Sequence, residues 1–366
     1  MKKKVAVAMS GGVDSSVSAV ILKEEGYDII GLTMKLWEYN DVGGNIENES
    51  SCCSVESINN ARYVCNQIDI PHYTIDLTNV FKKYVINNFI EEYLGGRTPN
   101  PCVLCNSKIK WEALLKKALE IGADYLATGH YAKVKFDEEC KRYILKKGND
   151  SRKDQSYVLW GLSQNALSRT VLPIGEMTKV EVRNYAKSKN LKTAKAKESQ
   201  EICFIPDNDY HRFLRDWNAN SEVIVKEGEI IGRNGEILGF HKGYPLYTIG
   251  QRKKLGIAVG KPVYVTKIEP ETNRIFIGDE EDLYNKGLIA DNVNLIAFET
   301  LEKPIKVVTK IRYNDRGADS TLFPMNDNMV KVMFDSPKKS ITPGQSAVFY
   351  QEDIVIGGGI IKDVIE

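Results

Sequence analysis

The feature that most constrains this chain lies at its start. The apolar run Val5-Ala6-Val7-Ala8-Met9 passes through Ser10-Gly11-Gly12-Val13-Asp14-Ser15-Ser16 into Val17-Ser18-Ala19-Val20-Ile21-Leu22. A short apolar run ended by a turn reads as a buried strand, and the stretch after the turn reads as a helix. Such a junction leaves backbone N–H groups open at a helix N-terminus, where hydrogen bonding and the helix dipole both favour an anion. Gly11 and Gly12 let the backbone approach a phosphate with no Cβ in the way. Ser10, Ser15 and Ser16 add hydroxyl donors, and Asp14 is placed to hold Mg²⁺ or to orient the loop. No Gly-Lys-Ser/Thr comes next and the glycines are not spaced as GxGxxG, so neither common phosphate fingerprint applies.

Beyond the loop the same strand-then-helix order repeats. Strand candidates Val5–Met9, Ile29–Met34, His72–Leu77 and Tyr125–Thr128 alternate with helical stretches at 15–25, 54–68, 80–94 and 107–120. That alternation predicts an α/β doubly wound parallel sheet, whose ligands sit beyond the carboxyl ends of the strands. The residues just after each strand are the Ser10 loop, Met34-Lys35, Asp76 and Gly129-His130. Residues 38–53 are polar and rich in Gly and Asn, and are expected to form a loop over that edge. Thr178 followed by Glu181 is a capping-box signal for a helix at Lys179–Lys189. Beyond about residue 207, short β-rich runs alternate with turns such as Arg233-Asn234-Gly235-Glu236 and Glu269-Pro270-Glu271-Thr272-Asn273. Two small antiparallel β-barrel domains are expected there, giving divisions at 1–206, 207–284 and 285–366. A length of 366 residues fits two or three domains better than one core.

The formal net charge is +1, so no global field advertises a polyanionic partner, and any nucleic acid must be gripped by local patches. The start Met1-Lys2-Lys3-Lys4 lacks the apolar stretch of a signal peptide, and no apolar run has the length to span a membrane. Seven cysteines, odd in number and unevenly spread, do not form the framework of a secreted disulfide scaffold. A cytoplasmic protein without membrane partners is expected.

Among those cysteines, Cys102 and Cys105 lie in Thr98-Pro99-Asn100-Pro101-Cys102-Val103-Leu104-Cys105-Asn106, just before the helical stretch from Ser107. The helix dipole favours a thiolate in that position. A third thiol, Cys203, lies in Glu198-Ser199-Gln200-Glu201-Ile202-Cys203-Phe204-Ile205 with no CxxC partner, so a Cys₄ zinc site is not supported. From spacing alone, sulfur chemistry and structural cysteines both remain open. Cys65 sits among apolar helical positions and reads as core, whereas Cys52-Cys53 and Cys140 are uncommitted.

Two resemblances narrow this. Ser10–Ser15 resembles SGGxDS, the pyrophosphate loop of the N-type ATP pyrophosphatases. The motifs SGGVDSS, NPCVLCN, ATGHYA, KDQSYVLW and ICFI occur in the order found in the tRNA-uridine 2-sulfurtransferases, or tRNA 2-thiouridylases. The likeness continues through Tyr247–Lys253 and Ile311-Arg312-Tyr313. It implies an enzyme that adenylates the C2 oxygen of a tRNA wobble uridine with release of pyrophosphate. Sulfur then comes from a persulfide on Cys203, and a Cys105–Cys203 disulfide remains. By the same likeness, Ala8, Met9, Ser10, Gly11, Gly12, Val13, Asp14, Ser15, Met34 and Gly129 would hold ATP, with Mg²⁺ arriving on the nucleotide rather than at a protein metal site. Cys105 matches the nucleophile and Cys203 the persulfide carrier. Asn100, Pro101 and Cys102 would lie beside the target base. Lys153, Asp154, Gln155, Arg312 and Tyr313 match tRNA-contacting stretches, and His130 and Gln345 further tRNA positions. The sulfur would arrive from a donor protein, a cysteine desulfurase or a relay carrier.

The chain departs from a common form of the pattern, NPDxxCN, by carrying Cys102 where many members have Asp. That puts a carboxylate acid or base in doubt here. It also creates the set Cys102, Cys105 and Cys203, an alternative ligand set for an iron–sulfur cluster. The basic runs Lys146-Lys147, Arg152-Lys153, Lys192/Lys195/Lys197 and Arg252-Lys253-Lys254 are candidates for gripping the anticodon arm. Two other classes compete: an amidotransferase-type or argininosuccinate synthetase, which needs no paired thiols, and a non-catalytic RNA-binding protein with a redox-switched disulfide.

Overall fold

In the computed structural model, which describes residues 2–38, 55–196, 202–205, 207–219, 226–326 and 328–366, the first apolar run forms β1 (Lys4–Ala8). Beside it run β2 (Asp28–Lys35), β3 (His72–Asp76), β4 (Tyr125–Ala127) and β7 (Thr170–Val171). Their order is β3-β2-β1-β4-β7 and every pairing is parallel. Successive side chains of a strand face opposite sides, and β1 uses both. Val5 and Val7 pack with Val17 and Val20 of α1 (Val13–Glu24), while Ala6 and Ala8 join a cluster containing Phe81, Phe89 and Trp111. Both faces are therefore covered, the doubly wound arrangement that the alternation predicts. The switch point of the sheet lies between β1 and β4, which brings the Ser10 loop beside Gly129. Most of the expected 38–53 loop, with Cys52 and Cys53, lies outside the described residues, as do Lys197 and Glu198–Glu201.

The central segment forms a four-stranded sheet of β8 (Gly228–Ile231), β9 (Ile237–His241), β10 (Tyr264–Glu269) and β11 (Arg274–Gly278), in the order β10-β11-β8-β9. The Arg233–Glu236 turn closes the β8–β9 hairpin, with Gly232 N–H donating to the Glu236 carbonyl at 2.8 Å. Asn273 makes the second expected turn in the left-handed region, φ 55°. The strands β8 and β11 run parallel, so the sheet is mixed.

The C-terminal segment closes on itself. Its strands are β12 (Tyr284–Leu295), β13 (Ile305–Lys310), β14 (Ala318–Pro324), β15 (Val330–Lys339), β16 (Ser346–Gln351) and β17 (Ile354–Ile365). They pair antiparallel in the order β12-β15-β14-β13-β16-β17, and β12 pairs with β17 to complete a six-stranded barrel.

Two strands that the sequence reading leaves unassigned, β5 (Ala132–Asp137) and β6 (Arg142–Lys147), extend this sheet. Ile354 and Val355 of β17 pair with Lys146 and Leu145 of β6. The N-terminal segment thus lends a hairpin to the barrel, which covers part of an edge that would otherwise lie open. One apolar cluster continues through all three segments, from Leu126 and Tyr157 through Ile230 and Val265 to Val348 and Tyr350. Among the described residues no helix is long and apolar enough to cross a membrane.

Candidate active site

The Ser10 loop meets α1 at Gly12, whose extended backbone (φ −89°, ψ 169°) caps the helix without a side-chain hydrogen bond. The loop hydroxyls largely hold the loop itself. Ser15 Oγ accepts from Ser10 N–H at 3.2 Å, and Ser16 Oγ donates to the Gly12 carbonyl at 2.8 Å. Ser15 and Ser16 are buried, so the expectation that all three serines offer donors to a ligand is met only by the exposed Ser10. The backbone amides at the start of α1 are the groups a helix N-terminus offers to an anion.

Asp14 ties the loop to two distant side chains. Both its carboxylate oxygens accept from Lys179 Nζ at 2.8 Å, and Oδ1 also accepts from the Tyr131 hydroxyl at 2.7 Å. A carboxylate occupied by an ammonium and a phenol does not suit a metal ligand. Among the described residues no group of three or more His, Cys, Asp or Glu is placed to hold a metal ion, the Cys102–Cys105–Cys203 set included.

Lys179 is the first residue of α2 (Lys179–Ser188), whose capping box between Thr178 and Glu181 is formed as the sequence predicts. A cation there opposes the helix dipole, and its side chain instead reaches into the loop, where only 8% of the residue is exposed. Gln155 completes this bracing: its Oε1 accepts from Tyr131 N–H at 3.0 Å. Tyr131 lies in the ATGHYA stretch and Lys179 opens the capping-box helix, but neither position carries a local signal that it meets Asp14, 117 and 165 residues away in the chain.

Residues 128–131 connect this loop to the cysteine helix. Gly129, at the carboxyl end of β4, lies so close to α1 that a Cβ there would stand 2.7 Å from the backbone of Asp14 and Ser15. The next residue, His130, faces the other way. It is 8% exposed, its ring lies 5.6 Å from the Trp111 ring, and its Nε2 is 3.5 Å from Lys110 Nζ. Burial, reinforced by Lys110, pushes the His130 imidazolium well below its ordinary range, so the ring is neutral. An ammonium can only donate, so Nε2 is the acceptor and Nδ1–H donates to Thr128 Oγ1 at 2.7 Å. Met34 stands at the carboxyl end of β2 on the same edge.

The cysteine helix begins at Pro101 rather than at Ser107, with Asn100 as its N-cap. Proline at the first helical position is a start signal that the sequence reading passed over. The consequence is chemical. Cys102, exposed, occupies the first turn, where the helix field acts, while Cys105, half-buried, lies a turn inside it. From Cys105 to Leu114 the helix is π-helical, then α-helical from Leu115 to Glu120.

Cys203 is also half-buried, and both thiols border the same apolar cluster. Its neighbours Phe204 and Ile205 are fully packed. Phe204 makes edge-on contacts with Phe81, Phe89 and Phe213 at 5.6, 5.3 and 5.5 Å. A buried phenylalanine contributes about 1.5–3 kcal/mol, so the segment is anchored on the C-terminal side of the thiol. Cys65 is core, as expected, and burial pushes its thiol up to about 12.

The barrel reaches the same place. Thr98 N–H donates to the Pro343 carbonyl at 2.9 Å, and Gln345 Nε2 donates to the carbonyls of Thr98 and Pro99 at 3.0 and 3.1 Å. The Tyr157 hydroxyl donates to the Ser346 carbonyl at 2.8 Å, and its ring lies 6.2 Å from that of Tyr313. Burial pushes the Tyr313 phenol up, with Asp154 and Cys102 adding to the effect. Tyr313 and Arg312 are exposed beside Cys102's helix. Of the residues expected to touch tRNA, His130, Asp154, Gln155 and Gln345 have their side chains engaged within the protein. Gln345 holds the Thr98 and Pro99 carbonyls that lead into the cysteine helix and Gln155 holds Tyr131, whereas Arg312 and Tyr313 are exposed.

The comparisons match this architecture segment by segment. Residues 3–207 match a family model described as the tRNA methyl transferase HUP domain, residues 219–279 the PRC-barrel domain of the same group, and residues 285–361 an aminomethyltransferase beta-barrel domain. Three full-length relatives are each named tRNA-specific 2-thiouridylase MnmA. The one from Acetivibrio thermocellus is 48% identical over 361 residues, covering 99% of both chains. That from Halothermothrix orenii is 52% identical over 98% of this chain and 99% of its own. That from Salinibacter ruber is 50% identical over 99% of this chain and 95% of its own. The first domain's description speaks of methyl transfer, but the likeness to the thiouridylases runs over nearly the whole length of both chains. The chain belongs to the tRNA-specific 2-thiouridylase MnmA family.

Proposed function

We propose that this enzyme converts the wobble uridine of tRNA to 2-thiouridine by adenylation followed by persulfide transfer. The C2 oxygen of uridine is a poor leaving group, and ATP removes that obstacle. The oxygen attacks the α-phosphorus, the bond to the β-phosphate oxygen breaks, and pyrophosphate leaves with the electron pair. The N3 proton departs as a C2–N3 double bond forms. The Ser10 loop, held by Asp14, Lys179 and Tyr131, grips the departing pyrophosphate. A Cys203 persulfide then delivers its terminal sulfur to C2, and the oxygen leaves on AMP. Cys105 attacks the Cys203 sulfur, either after that transfer or beforehand to liberate sulfide. Both routes give a thiocarbonyl and a Cys105–Cys203 disulfide, which an external thiol must reduce. A uridine stacked in an anticodon loop must turn out of its stack to reach this edge. Tyr313 and Arg312, with Arg152 and Lys153, would hold the RNA. The sulfur-donor protein would load Cys203.

The observation that carries this reading is the adjacency of Gly129 and His130, one against the pyrophosphate loop and the next against the Cys105 helix. One peptide unit joins the two elements to which this reading assigns its two chemistries. The test is a single-turnover reaction of enzyme, unmodified tRNA, ATP-Mg²⁺ and a persulfide donor, followed by nucleoside mass analysis. Equal amounts of pyrophosphate and 2-thiouridine are expected. Consumption of ATP with no thiouridine, under conditions that load the persulfide, would return the enzyme to the synthetase class.

A further inference from the structure

A second cation stands against His130, the residue after Gly129, and the reaction as outlined gives it no task. Lys110 lies five residues after Cys105 in the π-helical stretch, where backbone bonding runs from residue i to i+5, so it stands one turn along on the Cys105 side of the helix. Its Nζ donates to Asn106 Oδ1 at 2.8 Å and approaches His130 Nε2 at 3.5 Å. Both acceptors are neutral, and both are themselves fixed. Asn106 Nδ2 donates to the Val158 carbonyl at 3.1 Å, and His130 Nδ1 is tied to Thr128. Among the described residues Lys110 meets no carboxylate. The other lysine of this region, Lys179, is neutralised by Asp14. A half-buried ammonium steered by two neutral groups, at the switch point of a nucleotide-binding sheet, has its counter-charge still to come.

We propose that Lys110 receives the α-phosphoryl group of ATP during its transfer to the base, its ammonium meeting the charge that builds on the non-bridging oxygens. The inference rests on the adenylation reading and adds a residue to it. The position follows from the path of the group. It starts on the pyrophosphate held by the Ser10 loop and ends on a base beside Cys105, and Lys110 lies on the helix that bounds that path. A preorganised donor aimed at developing charge costs no reorganisation at the moment of reaction.

The test uses full-length enzyme and tRNA, with Lys110→Gln and Lys110→Arg compared in single-turnover pyrophosphate release, and tRNA affinity measured across a salt series. Lys110→Gln is expected to slow pyrophosphate release about 100-fold, the usual cost of losing one such donor, with tRNA affinity and its salt slope unchanged. Lys110→Arg, which keeps the charge, is expected to recover most of the rate. An unchanged rate in Lys110→Gln overturns the inference. So does an arginine variant as slow as the glutamine one, since charge would not then be the property that matters. A loss of tRNA affinity with the salt slope reduced by about one overturns it as well, because the phosphate met would be that of the RNA backbone. If the unsubstituted enzyme releases no pyrophosphate with tRNA, the adenylation reading falls, and this inference falls with it.

Discussion

Cys203→Ser enzyme is expected to release pyrophosphate on mixing with ATP and unmodified tRNA, and to form no 2-thiouridine. A serine oxygen cannot carry sulfane sulfur, so the loss should exceed about 1,000-fold, as for removal of an obligate nucleophile. Adenylation should persist because its groups lie on another element: the Ser10 loop and its Lys179–Tyr131 brace are separate from the Phe204-anchored segment. Cys105→Ser separates the two routes of sulfur transfer. If the persulfide attacks C2 directly, the variant should retain an RNA–S–S–Cys203 adduct, visible as a protein–RNA species that collapses on adding thiol. If Cys105 must first liberate sulfide, no adduct forms. Thiouridine formation at the normal rate by both serine variants would remove both cysteines from the mechanism.

Gly129→Ala is expected to be nearly as damaging to the first half-reaction. A Cβ at this position would lie 2.7 Å from the Asp14 carbonyl carbon and the Ser15 nitrogen, and 2.9 Å from Asp14 Cβ. These are mostly backbone atoms of a helix start, and they cannot swing aside as a side-chain end could. The loop must move, and with it the amides that would grip the phosphates. A displacement approaching 1 Å costs on the order of 100-fold in rate, so pyrophosphate release should fall by about that factor. Stability should fall by about 1–3 kcal/mol, the usual cost of overpacking. Rapid-quench pyrophosphate assays and thermal melts read the two separately. A variant with normal pyrophosphate release would show that the nucleotide does not depend on the close approach of β4 to α1.

The parts of the molecule legible in the sequence are those whose physics is local. A strand, two glycines and a helix start specify an anion site within a few consecutive residues, and Thr178 with Glu181 specifies a helix start within four. The Arg233–Glu236 hairpin is local in the same sense. The features that stayed hidden depend on pairings across the chain. Lys179 meets Asp14 across 165 positions, and Gln345 meets Thr98 across 247. No periodicity encodes either contact. The β5–β6 hairpin is an intermediate case: Ala132–Asp137 alternates small or apolar with polar residues and pairs locally with β6, but β17, the strand on the other side of β6, lies at Ile354–Ile365 in the barrel. His130 and Gln345 are instructive in another way. The resemblance implies tRNA contacts for both, and without RNA the structure ties the His130 ring to Thr128 and the Gln345 amide to the Thr98 carbonyl, partners that no local pattern reveals.

The central claim is that the uridine oxygen leaves on AMP. It is tested most directly with tRNA whose wobble uridine carries ¹⁸O at C2, in a single turnover with ATP and persulfide-loaded enzyme, followed by mass analysis of the AMP. Each 2-thiouridine formed is expected to yield one AMP bearing one ¹⁸O atom. Unlabelled AMP formed alongside 2-thiouridine would contradict the claim, because the oxygen would then have left by a path that never joined it to the α-phosphorus.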